Sequence, residues 1–257
     1  MGVGSAFQSP LLETSQLSKY RYRHRMGLVA CAEFDVFHDD FHQFVVGTAI
    51  TNGPVANTPW GWQGAIIDTG ATAAVLTTAA VGANGVLNMS DATASEGVAI
   101  YTNKTFQFTA GKRFFMETRV RTSDVSDNAV VFGLSDQTAV TNPEDLWTTT
   151  AANVVTFGIL DGSAYPQMLA DKSNSGTASQ TQTNKIMVAD TWHVLAIAYD
   201  GATLRGYVDG DEALVWGSAS TTIPTGVALG LFVGTLNGDG AGAATNYVDY
   251  VRAVSER

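Results

Sequence analysis

Residues 192–216 read WHVLAIAYDGATLRGYVDGDEALVW, and they carry the strongest local indication of the fold class. Two Asp-Gly dipeptides, Asp200-Gly201 and Asp209-Gly210, separate three short runs that are rich in strand-forming residues. Glycine accepts a positive φ without steric cost, so Asp-Gly closes tight hairpins. The stretch therefore predicts three antiparallel strands that follow one another along the chain as a meander.

Similar short runs, separated by Gly, Asn, Asp and Pro, occupy most of the chain. In residues 113–121, RFFMETRVR, apolar side chains alternate with Glu117, Arg119 and Arg121, which is typical of a strand with one face in the core. No amphipathic pattern predicts a helix of more than about two turns. Further strands are predicted at 154–160, 226–234 and 246–254. The sequence thus predicts an all-β protein, built as a two-sheet antiparallel sandwich.

The composition agrees with a single β-rich domain. Of the 257 residues only 15% are charged, below the roughly 25% usual in globular domains. No apolar run reaches the roughly 18 to 20 residues of a membrane span, and the N-terminus does not resemble a signal peptide, so we expect no membrane partner and synthesis in the cytoplasm. Residues 1–25 lack apolar periodicity. We therefore predict an N-terminal extended arm at 1–25 and one domain at 26–257.

Charge is distributed unevenly along the chain. The net charge is -10, but residues 1–30 hold four basic residues and one acidic residue. We expect the acidic body to repel nucleic acid, and the arm to bind a partner through apolar anchors and cations. These are Phe7, Leu11, Leu12, Lys19, Tyr20, Arg21, Tyr22, Arg23 and Arg25. The alternative for the arm is a solvated tail.

Residues 39–257 carry a series of motifs that resembles the concanavalin A-like (laminin G-like) jelly rolls. More narrowly, the series is similar to jelly-roll proteins of tailed-phage virions. The motifs are GKRFFMETRVR (111–121), VVFGLSD (130–136), the stretch 192–216 and the closing NYVDYVRAV (246–254). The resemblance implies a twisted sandwich with one concave sheet. Because its motifs are strand and turn residues, it specifies fold better than function.

Relatives with this fold include glycoside hydrolases, and the catalytic motif of those enzymes can be compared with this sequence. They carry a Glu-x-Asp-x-x-Glu or Glu-x-Asp-x-Glu run on a strand of the concave sheet. The comparable strand of this chain reads Glu117-Thr118-Arg119-Val120-Arg121, so arginines stand where a second acid is needed. The chain also lacks a Gly-x-Ser-x-Gly elbow and a His-Glu-x-x-His helix. We therefore predict that it is not an enzyme, and that Glu117 and Arg119 form partly exposed ion pairs with neighbouring strands.

Cofactor binding is not predicted. Residues 38–42, HDDFH, contain ligand types for zinc or manganese, but an entrance turn whose aspartates accept backbone hydrogen bonds is favoured. A structural calcium is the remaining alternative, although no loop shows the ligand spacing of a calcium-binding loop. Its candidate ligands are Asp39, Asp40, Asp239 and Asp249.

Two functions from different classes fit these observations. The leading hypothesis is a non-catalytic structural protein of a tailed-phage particle, a capsid decoration or cement protein on the outer surface of the virion. Its partners are the major capsid protein and neighbouring copies of itself, as a homo-oligomer or bound to the lattice. The alternative is a carbohydrate-binding module of a head or tail fibre that recognises host glycans. Candidates for a glycan or subunit contact are Trp60, Trp62 and Trp147, because aromatic rings stack on sugars.

Overall fold

A computed structural model describes most of the predicted domain. The described residues are 34–41, 53–54, 61–67, 77–78, 85–89, 97–103, 105–136, 153–172, 179–216, 222–238 and 244–256. The arm, the boundary at residue 26, Trp60 and Trp147 lie outside these ranges, so the predictions made for them stay predictions. Within the described residues there is no helix, and so none that is long and apolar enough to cross a membrane.

Sixteen strands form the described structure. In chain order they are β1 (Phe34–Asp39), β2 (Gly53–Pro54), β3 (Gln63–Ile67), β4 (Thr77–Thr78), β5 (Leu87–Asn88), β6 (Gly97–Tyr101), β7 (Phe114–Thr122), β8 (Asn128–Ser135), β9 (Asn153–Leu160), β10 (Ser163–Lys172), β11 (Ser179–Gln182), β12 (His193–Tyr199), β13 (Leu204–Val208), β14 (Asp211–Trp216), β15 (Gly230–Asn237) and β16 (Asn246–Glu256). The first sheet has the order β14-β13-β12-β7-β16-β5-β4, with β1 also paired to β16. The second sheet has the order β11-β10-β9-β8-β15-β6-β3-β2.

The predicted meander is confirmed. β12 pairs with β13, and β13 pairs with β14, all antiparallel. The turns between them place Gly201 at φ 99° and Gly210 at φ 87°, which is the conformation that glycine tolerates best. The prediction of an all-β, two-sheet antiparallel sandwich is therefore confirmed.

The core lies between the two sheets and follows the period-two alternation of the strands. On β7, Phe114, Met116 and Val120 are buried in the core, whereas Glu117, Arg119 and Arg121 lie on the outer face of the first sheet. Phe108 packs edge-on against both Phe114 and Tyr199, with ring centroids 5.1 and 5.3 Å apart. Such edge-to-face pairs add to the hydrophobic stabilisation that burial of the rings supplies.

Candidate functional site

Trp62 occupies a fully buried position beside the end of β1. Its side chain is 0% exposed, and its ring packs against Phe37 and Phe41 at centroid distances of 5.6 and 6.1 Å. The indole Nε1–H donates to Asp39 Oδ2 over 2.7 Å. A ring enclosed in this way has no face left for a sugar or a second subunit. The prediction of Trp62 as a glycan or subunit contact is therefore corrected, because burial locks the ring into the core.

Residues 38–41 form the entrance turn that the sequence favours over a metal site. Asp39 accepts a second hydrogen bond from the Phe41 backbone N–H, also over 2.7 Å, and Phe41 has a φ of 56°. Both carboxylate oxygens of Asp39 are thus engaged in structural hydrogen bonds. Among the residues that the structure describes, no group of three or more His, Cys, Asp or Glu side chains is placed to hold a metal ion. His42 and Asp239 lie outside the described residues, and calcium binding stays untested.

The outer face of the first sheet carries the predicted cross-strand ion pairs. Arg119 Nη1 lies 2.8 Å from Asp249 Oδ2 on β16, and Glu117 Oε1 lies 4.0 Å from Arg252 Nη1 on the same strand. Only 12% of the Glu117 side chain and 11% of the Arg252 side chain are exposed. This pair is therefore more buried than the sequence predicts, which suits it to a structural role.

Beside this pair lies a more exposed cluster, which we call the arginine–aromatic face. It consists of Arg119, Arg121, Asp190, Trp192, Tyr247 and Asp249. The alternation of β7 directs both arginines outward. Val194 on β12 pairs with Arg119, and Trp192 stands two residues before it on the same side of the chain. The strand pairing therefore brings together residues from three separate segments.

A β-bulge in β16 lies at the acid of this face. Val248 pairs with Val120 and Tyr250 pairs with Arg119, so Asp249 is an extra residue between two paired positions. Tyr247 precedes the bulge and lies on the outer face through its pairing with Arg121. Asp249 is half-buried and reaches the Arg119 guanidinium.

Each arginine of the face contacts one ring and one carboxylate. The Arg119 guanidinium lies 4.7 Å from the centroid of the Trp192 ring, and that of Arg121 lies 5.5 Å from the Tyr247 ring. Arg121 Nη2 also donates to Asp190 Oδ1 over 3.0 Å. The two rings are adjacent, with centroids 6.4 Å apart and planes tilted by 50°. The arginines are held on two sides, which fixes their orientation.

The arginine–aromatic face remains partly open to solvent. The exposed fractions of the Arg119, Arg121 and Asp249 side chains are 35%, 28% and 25%, and both rings are half-buried. A surface of this kind combines flat apolar rings with oriented hydrogen-bond donors and acceptors. It can therefore stack on one part of a polar ligand and hydrogen-bond to another.

The outer face of the second sheet is different, because several of its described side chains are buried. Tyr101, Val154 and Phe232 belong to an apolar cluster there, and burial raises the pKa of Tyr101. Alternation places Thr156 and Asp171 on the same face, both 0% exposed, and the Thr156 hydroxyl has no hydrogen-bond partner among the residues that the structure describes. Polar groups are thus present on this face, although none of these five side chains is accessible.

A histidine–aspartate pair at the start of β12 is structural. The Val188 backbone N–H donates to His193 Nε2 over 2.9 Å, so Nδ1 carries the ring proton and donates to Asp209 Oδ2 over 2.7 Å. Burial raises the pKa of Asp209, but the hydrogen bonds from His193 and from the Val194 N–H, together with the charge of Lys185, outweigh it and hold that pKa below its ordinary value. Both imidazole nitrogens are engaged, so this pair does not offer a free base.

The lowered pKa of Asp209 gives a prediction for acid stability. Because the folded state favours the ionised carboxylate, its contribution is present above the ordinary aspartate pKa of about 4 and is lost as pH falls through the lower folded value. Asp209→Asn should therefore lower the unfolding midpoint in urea at neutral pH, and the difference from the wild type should shrink below about pH 4. Asp211→Asn in the same turn is the control. An Asp209→Asn deficit that is unchanged at low pH would contradict the assignment.

Sequence reasoning missed Trp192 and Tyr247 as surface residues. The bulge leaves a trace in the sequence. The side chains of Val248 and Val251 are both buried and stand three positions apart, whereas side chains on the same face of a regular strand stand two positions apart. The outward direction of Arg119 and Arg121 was predicted, but their neighbours depend on strand register. Asp249, one of the candidate calcium ligands, forms an ion pair with Arg119.

Comparison with known proteins identifies the fold. No family model and no curated protein sequence matches the chain. An endo-acting O-glycanase of the human gut microbiota has a similar structure, with a TM-score of 0.55, 15% identity, and coverage of 85% of this chain and 98% of that one. A prokaryotic β-1,3-1,4-glucanase from a mouse hindgut metagenome gives a TM-score of 0.55 and 14% identity, with coverage of 85% and 98%. The carbohydrate recognition domain of Emp47p gives a TM-score of 0.54 and 12% identity, with coverage of 88% of this chain and 99% of that one.

These comparisons contradict the prediction that the chain is not an enzyme, because structures with the same fold include an O-glycanase and a glucanase. The prediction rested on the missing second acid of β7 and on the absence of other catalytic motifs. At 12 to 15% identity the likenesses show the fold. The chain has the concanavalin A-like jelly-roll fold, which it shares with a carbohydrate recognition domain and with glycan-cleaving enzymes.

Proposed function

We propose that this protein binds carbohydrate, and that the arginine–aromatic face is the binding surface. The observation that carries the proposal is the pair of adjacent, half-exposed rings of Trp192 and Tyr247, each beside a guanidinium that a carboxylate holds in place. The likeness to a carbohydrate recognition domain supports this interpretation.

Stacking on Trp192 supplies the apolar part of the interaction. The ring is partly exposed although Arg119 contacts one of its faces. A pyranose presents flat patches of C–H groups, which pack against an aromatic surface and lose their contact with water. The Tyr247 ring, tilted by 50° beside it, extends this surface to a second sugar unit.

Hydrogen bonding supplies orientation. Sugar hydroxyls both donate and accept, and the Arg119–Asp249 pair offers donors and an acceptor within one contact. Since ion pairing and stacking already order the arginines, little further side-chain entropy is lost when a ligand binds. The face is therefore organised before the ligand arrives.

Trp192→Ala tests the proposal directly. We expect it to weaken binding of oligosaccharides found by glycan array at least about tenfold, equivalent to about 1.4 kcal/mol, because it removes the stacking surface. The measurement is isothermal titration calorimetry. Tyr165→Ala is the matched control, because Tyr165 is an exposed aromatic on β10, in the other sheet, and its loss should leave affinity unchanged.

Two outcomes of the same experiment decide further points. Equal affinity of Trp192→Ala and the wild type would place the sugar elsewhere and contradict the proposal. The mixture of protein and oligosaccharide is also assayed for new reducing ends, because glycan-cleaving enzymes share this fold. Their appearance would show that the protein cleaves the glycan that it binds.

A structural part of a tailed-phage particle is the second candidate, favoured by the motif series in residues 39–257. Under this hypothesis the arm contacts the major capsid protein or neighbouring copies on the outer capsid surface, or the glycan-binding domain stands on a head or tail fibre. Deletion of residues 1–25 should sharply reduce association with intact particles, measured by copurification. Undiminished association of the truncated chain would show that the arm is not the contact.

A further inference from the structure

We infer that the arginine–aromatic face selects neutral glycans and discriminates against glycans that carry carboxylates or sulfates. This inference rests on the proposed function and names the ligand class of the same site. It is carried by one observation: every arginine in the described part of the chain lies within ion-pair distance of a carboxylate. The pairs are Arg113 with Glu256, Arg119 with Asp249, Arg121 with Asp190, Arg205 with Glu212, and Arg252 with Glu117.

An acidic sugar binds most strongly to a cation whose hydrogen-bond donors are not already engaged by a carboxylate. An arginine binds a carboxylate or sulfate best when its planar edge is free to form two parallel hydrogen bonds. In this face Asp249 and Asp190 already occupy part of the Arg119 and Arg121 guanidinium groups, at 2.8 and 3.0 Å. An acidic glycan would have to displace these carboxylates or lie beside them.

Charge at longer range acts in the same direction. The four charged side chains of the face sum to zero, and residues 31–257 carry 10 basic against 23 acidic residues. An acidic ligand approaches a negative surface at a cost that salt screens, whereas a neutral sugar meets no such cost. Both the local pairing and the overall charge therefore favour neutral ligands.

A neutral sugar makes full use of the paired groups. In the Arg119–Asp249 contact one guanidinium nitrogen meets one carboxylate oxygen, while a guanidinium has five N–H donors and a carboxylate two oxygens. Neighbouring hydroxyls of one pyranose match this mixture of donors and acceptors. Its C–H face is then free to stack on Trp192.

The test compares neutral glycans with acidic ones. Lacto-N-neotetraose is compared with sialyl-lacto-N-neotetraose, and cellohexaose and laminarihexaose with hexagalacturonate, by calorimetry on the full chain. We expect the better neutral probe to bind at least about tenfold more tightly than the acidic ones, with little change between about 50 and about 500 mM salt. Preference for an acidic probe, or affinity that falls steeply with salt, overturns the inference and leaves the proposed function intact.

Asp249→Asn separates a charge effect from a loss of structure. The change keeps the shape of the side chain but removes the negative charge beside Arg119. It should lower the affinity for the neutral probe a few-fold and raise the affinity for sialyl-lacto-N-neotetraose a few-fold, so that the ratio of the two affinities falls. Asp211→Asn removes the same charge from the Lys185 pair outside the face and should change neither affinity. An unchanged preference in Asp249→Asn overturns the inference.

Failure of every probe and every arrayed glycan to bind overturns the proposed function itself.

Discussion

Replacing Gly158 by alanine is expected to lower the free energy of unfolding by about 3 kcal/mol or more. A Cβ at this position would collide with the Val130 carbonyl oxygen and lie 2.8 Å from the Val131 Cα. Both atoms belong to the backbone of β8, a central strand of the second sheet. Because neither can rotate away, the two strands must separate. Thermal denaturation should show a midpoint lower by roughly 6 °C or more.

Gly206→Ala is the matched control for this prediction. Gly206 is also a strand glycine, but the three atoms nearest to an added Cβ are side-chain atoms of Phe157, Leu214 and Met168, at 3.1 to 3.2 Å. Such atoms shift by a few tenths of an ångström at small cost, so we expect a loss below about 1.5 kcal/mol. A Gly158→Ala protein as stable as Gly206→Ala would contradict the close strand approach.

Asp39→Ala is expected to cost about 3 kcal/mol, the second large effect. Asp39 is 5% exposed and accepts hydrogen bonds from the Trp62 Nε1–H and the Phe41 N–H. Its removal leaves two donors without an acceptor in the core, and each buried unsatisfied group costs about 1 to 3 kcal/mol. Urea denaturation followed by tryptophan fluorescence gives the free energy of unfolding.

A double-mutant cycle with Trp62→Phe isolates the side-chain part of this effect. Phenylalanine fills most of the indole space but has no N–H to satisfy. Asp39→Ala should therefore cost less in the Trp62→Phe background than in the wild type, with a coupling of about 0.5 to 3 kcal/mol. Additive costs would show that the Asp39–Trp62 hydrogen bond does not contribute.

The fold was predictable because its signals are local. The Asp-Gly turns after Tyr199 and Val208 and the alternation of β7 each depend on a few neighbouring residues, and the structure confirms them. The binding face was not predictable in the same way. Trp192 and Tyr247 meet only because β7 lies between β12 and β16 in a particular register, which no local pattern specifies.

Two predictions were wrong for different reasons. Trp62 stands in a Gly- and Pro-rich stretch that is typical of a surface loop, yet Asp39, 23 positions earlier, holds its indole in the core. That contact joins segments distant in sequence, and a single sequence does not record it. The prediction against enzyme activity rested on missing catalytic motifs, whereas structures of the same fold include an O-glycanase and a glucanase.

Carbohydrate binding at the arginine–aromatic face can be tested through the indole N–H signals of the five tryptophans in a ¹H–¹⁵N spectrum. The Trp192 signal is assigned by its loss in Trp192→Phe, and a glycan found by array is then titrated into the ¹⁵N-labelled protein. Carbohydrate binding at the arginine–aromatic face predicts that the Trp192 signal shifts while those of the buried Trp62 and Trp216 stay in place. Shifts confined to Trp60 or Trp147, with Trp192 unchanged, would contradict the claim.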